Sequence, residues 1–227
     1  MNAISAVVIC DVMNSRDVAR FKDVRDSKLD ALSKAHRASG WIAAPYAVTA
    51  WDEFQGLTAA IDAAPRAMWS LVTAFYPLHL RIGIGIGEVV TEFADHAPLN
   101  EAATGEAFFR ARAALDLVKH GRDPRYDPSS QADSGEREVD LFLNSTLHLL
   151  DALVARATPS QWEVILEYER LGRQDRVAAK LGKAESTISR ALKRAYYWQM
   201  IEAIESMTEF LQQRFAARGD AGAEARP

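Results

Sequence analysis

The stretch LRIGIGIGEVVTEF, residues 80–93, decides the fold of this chain. Ile and Val dominate this run, and β-branched residues in an apolar run predict a strand. Gly83, Gly85 and Gly87 all face one side of that strand, because successive side chains point to opposite faces. A face without side chains lets a helix, a second subunit or a ligand approach the backbone closely. We expect a tightly packed helix there.

The residues around this strand predict a split βαβ arrangement. Residues 4–10 (ISAVVIC) are typical of a strand covered on both faces, and a helical pattern follows from Val18 to Ser39. Residues 46–61 resemble a hairpin with acidic residues at its tip. Further helices are predicted from Pro65 to about Phe75 and from Gly105 to Lys119. The resulting order, β-α-β-β-α-β-α, predicts an α+β domain of the ferredoxin-like type.

Two carboxylates occupy positions that could meet in such a sheet. Asp11 directly follows the first strand, and Asp52 lies at the hairpin tip. The first strand and the hairpin are neighbours in a split βαβ sheet, and Mg²⁺ or Mn²⁺ takes oxygen ligands of this kind together with substrate phosphates. The alternative is that Asp11 begins a turn or caps a helix, while Asp52 is a solvated hairpin residue.

A polar stretch divides the chain into two predicted units. Residues 121–137 (GRDPRYDPSSQADSGER) hold almost no apolar residue and two Pro, which is typical of an exposed linker. We therefore expect an N-terminal α+β domain over residues 1–127, a linker over 128–137 and an all-α domain over 138–217. The last ten residues, 218–227, are expected to be disordered.

The C-terminal unit predicts a helix-turn-helix. An amphipathic helix spans Val139 to Arg156, and Thr158-Pro159 opens a second helix through about Leu171. Residues 174–197 then follow a helix, turn, helix pattern, with a turn at Gly182 and apolar contacts between the helices. These contacts would come from Val177, Ala178, Leu181, Ile188 and Leu192. A heptad-like seam from Tyr197 to Phe215 predicts a helix that either dimerises or packs back on residues 139–156.

The charge distribution favours nucleic acid as a partner of this unit. The whole chain has a net charge of −4, which by itself argues against such a partner. Arg170 to Trp198, however, hold eight basic residues and two acidic ones, a local charge of +6. The expected contacts with double-stranded DNA are Arg173, Lys183, Ser186, Thr187, Ser189, Arg190, Lys193 and Arg194. The alternative interpretation is a solvated basic face.

Composition excludes several other classes of protein. The chain is 48% hydrophobic and 26% charged over 227 residues, as in ordinary globular proteins. Its single Cys10 excludes an intrachain disulfide. No apolar run approaches the roughly 20 residues that span a bilayer, and the first one lacks the basic residues of a signal peptide. We expect a cytoplasmic protein without a membrane partner.

Four segments resemble the SatD family of bacterial proteins: CDVMNSRD, VTAWDEFQGL, LRIGIGIGEVVT and ATGEAFFRARAAL. The N-terminal region of that family is similar to class III nucleotide cyclases, which implies a palm-like fold and metal binding by Asp11 and Asp52. The same resemblance implies that a nucleotide would contact Val12, Asn14, Ser15, Arg16, Thr49 and Glu53.

Departures from the cyclase pattern bear on catalysis. Trp51 and Cys10 stand where glycines usually precede the two metal-binding residues. Phe109 and Ala113 stand where cyclases have the Asn and Arg that stabilise the transition state. The resemblance therefore implies a domain that lacks catalysis and is either a sensor that binds nucleotide or metal or a purely structural remnant.

The segment from Ala178 to Arg190 resembles the helix-turn-helix of sigma-factor region 4 and LuxR-type regulators, with Ala184 in place of a capping Ser. We expect a homodimeric, DNA-binding transcriptional regulator whose cyclase-like domain senses an input. One alternative is a divergent metal-dependent nucleotidyl cyclase or nucleotidyltransferase. The other is a module whose helix-turn-helix binds RNA polymerase or another protein.

Overall fold

A six-stranded, mostly antiparallel sheet forms the centre of the described residues. The structure is a computed structural model that describes residues 3–91, 103–121 and 127–224, with side chains over 4–90, 104–121 and 127–215. The strands are β1 (Ala3–Val12), β2 (Ala47–Val48), β3 (Glu53–Leu57), β4 (Leu80–Thr91), β5 (Ala103–Gly105) and β6 (Ser130–Asp133). Residues 92 and 93, predicted to end the glycine-rich strand, lie outside the described residues.

The strand order is the one that a split βαβ chain produces. Strands run in the order β2-β3-β1-β4, and each of these pairs is antiparallel. Both remaining strands lie along the other edge of β4. β5 pairs antiparallel with Val89–Thr91, and β6 pairs parallel with Ile82–Gly85. The mixed α and β composition of the fold is therefore as predicted.

Helices cover both faces of the sheet. They are α1 (Phe21–Ala38), α2 (Ala64–Phe75), α3 (Glu106–His120), α4 (Arg137–Arg156), α5 (Pro159–Leu171), α6 (Gln174–Leu181), α7 (Glu185–Arg194) and α8 (Tyr197–Glu224). Within the described ranges, these bounds agree with the helices predicted from periodicity to within a few residues, because each helix has a continuous apolar stripe.

The glycines of β4 receive helix α3. A Cβ atom on Gly85 would overlap the backbone of Ala107 and Ala111, and one on Gly83 would overlap Ala111 and Leu115. Only a strand without side chains on this face allows such close approach. The expected close packing of a helix is therefore the observed role of this stripe, and it fixes α3 firmly over the sheet.

The predicted linker is wrong for residues 129–137. Residues 122–126 lie outside the described residues, but Ser130–Asp133 form β6 and pair with β4. Side chains of α4 bind the other edge of this strand. Asn144 exchanges two hydrogen bonds with the backbone of Ala132, at 2.7 and 2.9 Å, and Asp151 accepts hydrogen bonds from the Ser129 and Ser130 amides at 2.8 and 2.9 Å. Helical side chains thus replace a neighbouring strand, which composition alone does not reveal.

The two predicted units share one hydrophobic core. Residues of β1 and α2 belong to the same buried cluster as residues of α4, α5, α7 and α8. The seam predicted on α8 is buried in this cluster at Ile204, Leu211 and Phe215, and Phe210 contacts Phe142 of α4 with ring centroids 4.4 Å apart. The seam is therefore buried within the chain, where α8 contacts α2 as well as α4. α8 is therefore not available as a free dimerisation helix.

The C-terminal segment extends the last helix. α8 continues to Glu224, so the predicted disordered tail overlaps its final turns, while residues 225–227 lie outside the described residues. In the part of the chain that the structure describes, no helix is both long and apolar enough to cross a membrane.

Candidate functional site

Two buried carboxylates lie side by side on the face of the sheet that α3 covers. Asp11 of β1 is directly opposite Glu53 of β3, so both side chains point to the same face. They are 4% and 7% exposed, respectively. The hairpin that carries Glu53 is held by Arg25 of α1, whose guanidinium donates to the carbonyl oxygens of Ala50 and Trp51. The acidic pair is therefore built into a fixed part of the sheet.

Three cationic side chains close around this pair. Lys119 of α3 places its Nζ atom 2.6 Å from Asp11 Oδ1 and 3.9 Å from Glu53 Oε2. Arg112, seven residues earlier on the same helix, donates two hydrogen bonds to Glu53, at 2.5 and 2.6 Å. Arg81 of β4 lies 3.4 Å from Asp11 Oδ2. We call Asp11, Glu53, Arg81, Arg112 and Lys119 the charge cluster.

The electrostatics of the cluster follow from these contacts. The pKa of the Glu53 carboxyl is lowered, chiefly by the hydrogen bonds from Arg112, against the opposing effect of burial. Thr49 adds a hydrogen bond of 2.7 Å to Glu53 Oε1. The pKa of Arg112 is raised because its guanidinium is bonded to Glu53. Glu53 and Arg112 therefore favour each other's charged form, and the cluster as a whole joins two carboxylates to three basic groups.

A divalent metal does not fit between Asp11 and Glu53 in this arrangement. Mg²⁺ requires oxygen ligands at about 2.0–2.1 Å, and the ammonium group of Lys119 already bridges the two carboxylates. Asp52, the expected partner of Asp11, instead accepts a hydrogen bond from Ser15 Oγ at 3.3 Å. Among the described residues, no group of three or more His, Cys, Asp or Glu side chains is arranged to hold a metal ion. The structure thus brings Asp11 together with Glu53 and Lys119.

The residues expected to contact a nucleotide are only partly brought together. Thr49 and Glu53 are in contact, but Glu53 is already bonded to Arg112. Val12 is 1% exposed and belongs to the hydrophobic core. Ser15 is buried with its hydroxyl bonded to Asp52, while Asn14 and Arg16 are exposed.

Sequence reasoning missed the basic half of the charge cluster. Arg112 and Lys119 are separated by two helical turns, so both lie on one side of α3 at the border of its buried stripe. This spacing was visible in the sequence, but their acidic partners were not. Arg110, on another side of the helix, donates to the carbonyl oxygen of Ile86 at 2.6 Å.

The second candidate surface is the exposed side of α6 and α7. α6 ends at Leu181, and the next residue, Gly182, has a φ of 62° and allows the sharp turn into α7. Ile188 and Leu192 are fully buried and fix the orientation of α7. No side-chain cap precedes α7 at Ala184. The two helices therefore meet at a short turn and share a small apolar contact.

All eight basic side chains between Arg170 and Trp198 are exposed. Three of them form ion pairs within the chain: Arg170 with Glu167, Arg173 with Asp175, and Lys183 with Glu163. Within the described part of the chain, the other five form no ion pair; these are Arg176, Lys180, Arg190, Lys193 and Arg194. We call these five the basic face, to which Ser186, Thr187 and Ser189 add exposed hydroxyl groups.

Comparison with known proteins identifies the family. Residues 5–209 match the family model of the SatD family. The chain belongs to the SatD family. No curated protein matches this SatD family member.

Three solved structures are distantly similar to this SatD family member. One is the catalytic core of a rhodopsin-guanylyl cyclase with converted specificity, in complex with ATPalphaS. Its sequence is 20% identical to this chain, the alignment covers 49% of this chain and 71% of the cyclase chain, and the TM-score is 0.34. A dimeric guanylyl cyclase domain of the RhoGC fusion protein from the aquatic fungus Blastocladiella emersonii has the same identity and TM-score and covers 49% and 74%. A regulator of polyketide synthase expression from Bifidobacterium adolescentis is 16% identical to this chain. The alignment covers 93% of this chain and 86% of the regulator, and the TM-score is 0.26.

Proposed function

We propose that this SatD family member is a regulator that binds double-stranded DNA through α6 and α7. The observation that carries the proposal is the orientation of α7. Its apolar residues Ile188 and Leu192 are fully buried against the rest of the chain, which turns every polar and basic residue of the helix outward. An exposed helix of this kind, following a second helix after a short turn, has the shape that fits a major groove.

The two ends of α7 would have different roles in this proposal. Ser186, Thr187 and Ser189 lie in its first turns and would reach base edges, together with Arg190. The guanidinium of Arg190 lies over that end of the helix, because its Nε donates to the carbonyl oxygen of Ser186 at 3.1 Å. Lys193 and Arg194 lie in the last turn and would contact phosphates. Arg173 and Lys183 are less available, since each already has an acidic partner.

Helix α2 packs on the sheet and also contacts α5 and α8, which supports the regulatory part of the proposal. Trp69 of α2 and Tyr197 of α8 both donate to Glu169 Oε1 of α5, at 2.7 and 3.0 Å. Tyr76 stacks on Trp162 of α5 with ring centroids 4.6 Å apart. In this proposal, α2 is the element through which a change at the sheet would act on the helices that support α7. We do not propose nucleotidyl transfer, because Asp11, one of the two residues expected to bind the metal, is ion-paired with Lys119 at 2.6 Å.

The experiment is a binding titration with labelled genomic DNA fragments, measured by fluorescence anisotropy. We expect affinity to fall steeply between about 50 and 200 mM salt, because phosphate contacts release counterions. The double variant Arg190→Ala with Lys193→Ala should bind roughly tenfold or more weakly and show a salt slope shallower by about one to two units. A homodimer reading two half-sites is part of the proposal, and light scattering of the complex measures its stoichiometry.

The control removes the same charge from elsewhere. Lys22 and Arg37 are exposed residues of α1, and the double variant Lys22→Ala with Arg37→Ala has the same net charge as the test variant. It should bind DNA like the unmodified chain. An equal loss of DNA affinity in both double variants would mean that α7 is not the DNA-binding helix. Absence of DNA binding at low salt would refute the proposal.

A further inference from the structure

The charge cluster contains two carboxylates that are buried directly opposite each other, and DNA binding by α7 gives no reason for this arrangement. Asp11 and Glu53 are paired residues of neighbouring strands, and like charges at such positions repel. Each would also lose its hydration on burial, at a large cost unless a positive charge compensates. Something with a compact positive charge must therefore lie between them.

Lys119 has the chemistry and the position for this role. Arg112 already satisfies Glu53 with two hydrogen bonds, which leaves the Asp11 side of the pair to be compensated. An ammonium group is a compact charge with three donors, so one nitrogen can face both carboxylates. Lys119 Nζ contacts Asp11 Oδ1 at 2.6 Å and lies 3.9 Å from Glu53 Oε2.

The backbone keeps Lys119 at this place. α3 is pressed against Gly83 and Gly85 so closely that no side chain fits between helix and strand. Lys119 lies in the last turn of this helix, and its side chain is only 25% exposed where it contacts Asp11. Arg81 approaches Asp11 from the opposite side, along β4.

We propose that Lys119 is a built-in counter-ion that stands where a divalent cation would otherwise bridge Asp11 and Glu53. The chain thereby carries a permanent cation at this place and excludes Mg²⁺ and Mn²⁺ from it. The proposal concerns the sheet and is independent of DNA binding by α7.

The test replaces the ammonium group by a neutral side chain of similar length. Lys119→Met should lower the midpoint of thermal unfolding by roughly 5–10 °C in metal-free buffer, because a buried carboxylate loses its partner. Addition of MnCl₂ should partly restore the midpoint, and electron paramagnetic resonance should detect bound Mn²⁺. For the unmodified chain and for the control Lys22→Met, at an exposed position of α1, MnCl₂ should not change the unfolding midpoint. Neither protein should bind Mn²⁺.

A second variant keeps the test decisive if Lys119→Met does not fold. Lys119→Met combined with Asp11→Asn removes both charges, so it should fold and should not bind Mn²⁺. The proposal is overturned if the unmodified chain binds Mn²⁺ and loses it on Asp11→Asn. It is equally overturned if folded Lys119→Met shows no gain in Mn²⁺ binding, or if the double variant also fails to fold.

Discussion

At the scale of single residues, His36 shows how burial sets the response of this fold to pH. The ring is 2% exposed, and both of its nitrogens have hydroxyl partners: Nδ1 lies 2.8 Å from the Tyr46 hydroxyl, and Nε2 lies 2.8 Å from Ser70 Oγ. Burial lowers the pKa of His36 below its usual value of about 6.5, because the charged ring would lose its hydration. The folded chain therefore holds this ring neutral.

This lowered pKa predicts a loss of stability on mild acidification. Between the usual pKa of His and the lower pKa in the fold, the unfolded chain binds a proton at this site and the folded chain does not. The free energy of unfolding should therefore decrease as the pH falls below about 6.5. Urea unfolding at a series of pH values measures the effect, and His36→Gln should reduce the slope in this interval. An unchanged slope in the variant would assign the pH dependence to other groups.

At the scale of secondary-structure elements, the edge of β6 depends on side chains of α4. Asp140, Asn144 and Asp151 lie on one side of this helix, and each accepts a hydrogen bond from a backbone amide in or beside β6. Burial raises the pKa of Asp151, and the bonds from Ser129 and Ser130 act in the opposite direction. The helix thus completes an edge that would otherwise leave backbone groups unpaired.

Substitution of Asn144 tests this role. Asn144→Leu removes both hydrogen bonds to Ala132, whose backbone lies in a buried part of the strand. The free energy of unfolding should fall by about 1–3 kcal/mol, since buried polar groups lose their partners. The matched control is Ser145→Leu, at the next and exposed position of α4, where the change should stay within about 0.5 kcal/mol. Urea unfolding followed by circular dichroism measures both, and equal effects would contradict the edge-capping role.

These elements also show what the sequence could predict. The glycine stripe was located correctly, because an apolar run is a local signal, whereas Asp11 was expected just after the first strand and lies within β1. β6 was not, since SSQAD has no strand pattern and its pairing depends on Asn144 and Asp151, which follow it by up to 22 residues. The partners of Asp11 were missed for the same physical reason: Glu53 and Lys119 meet it only once the sheet and α3 have packed.

At the scale of the whole molecule, the shared core changes the expected number of folding units. Trp162 of α5 is 2% exposed and lies between the two halves of the chain, with Tyr76 stacked on it at 4.6 Å and the Trp69 ring centroid at 6.2 Å. Two units joined by a linker would unfold separately. One continuous core instead predicts that the sheet and the C-terminal helices unfold together.

Trp162→Ala tests this cooperativity. Loss of this buried ring should lower the free energy of unfolding by about 3–5 kcal/mol. Because the core is continuous, hydrogen exchange measured by mass spectrometry should show reduced protection by the same amount in β1 and in α5. Trp51→Ala is the control, since that ring is 54% exposed at the hairpin tip and its removal should cost much less. If only α5–α8 lost protection while β1 kept its own, the C-terminal helices would be an independent domain, and coupling between the sheet and α7 would need another route.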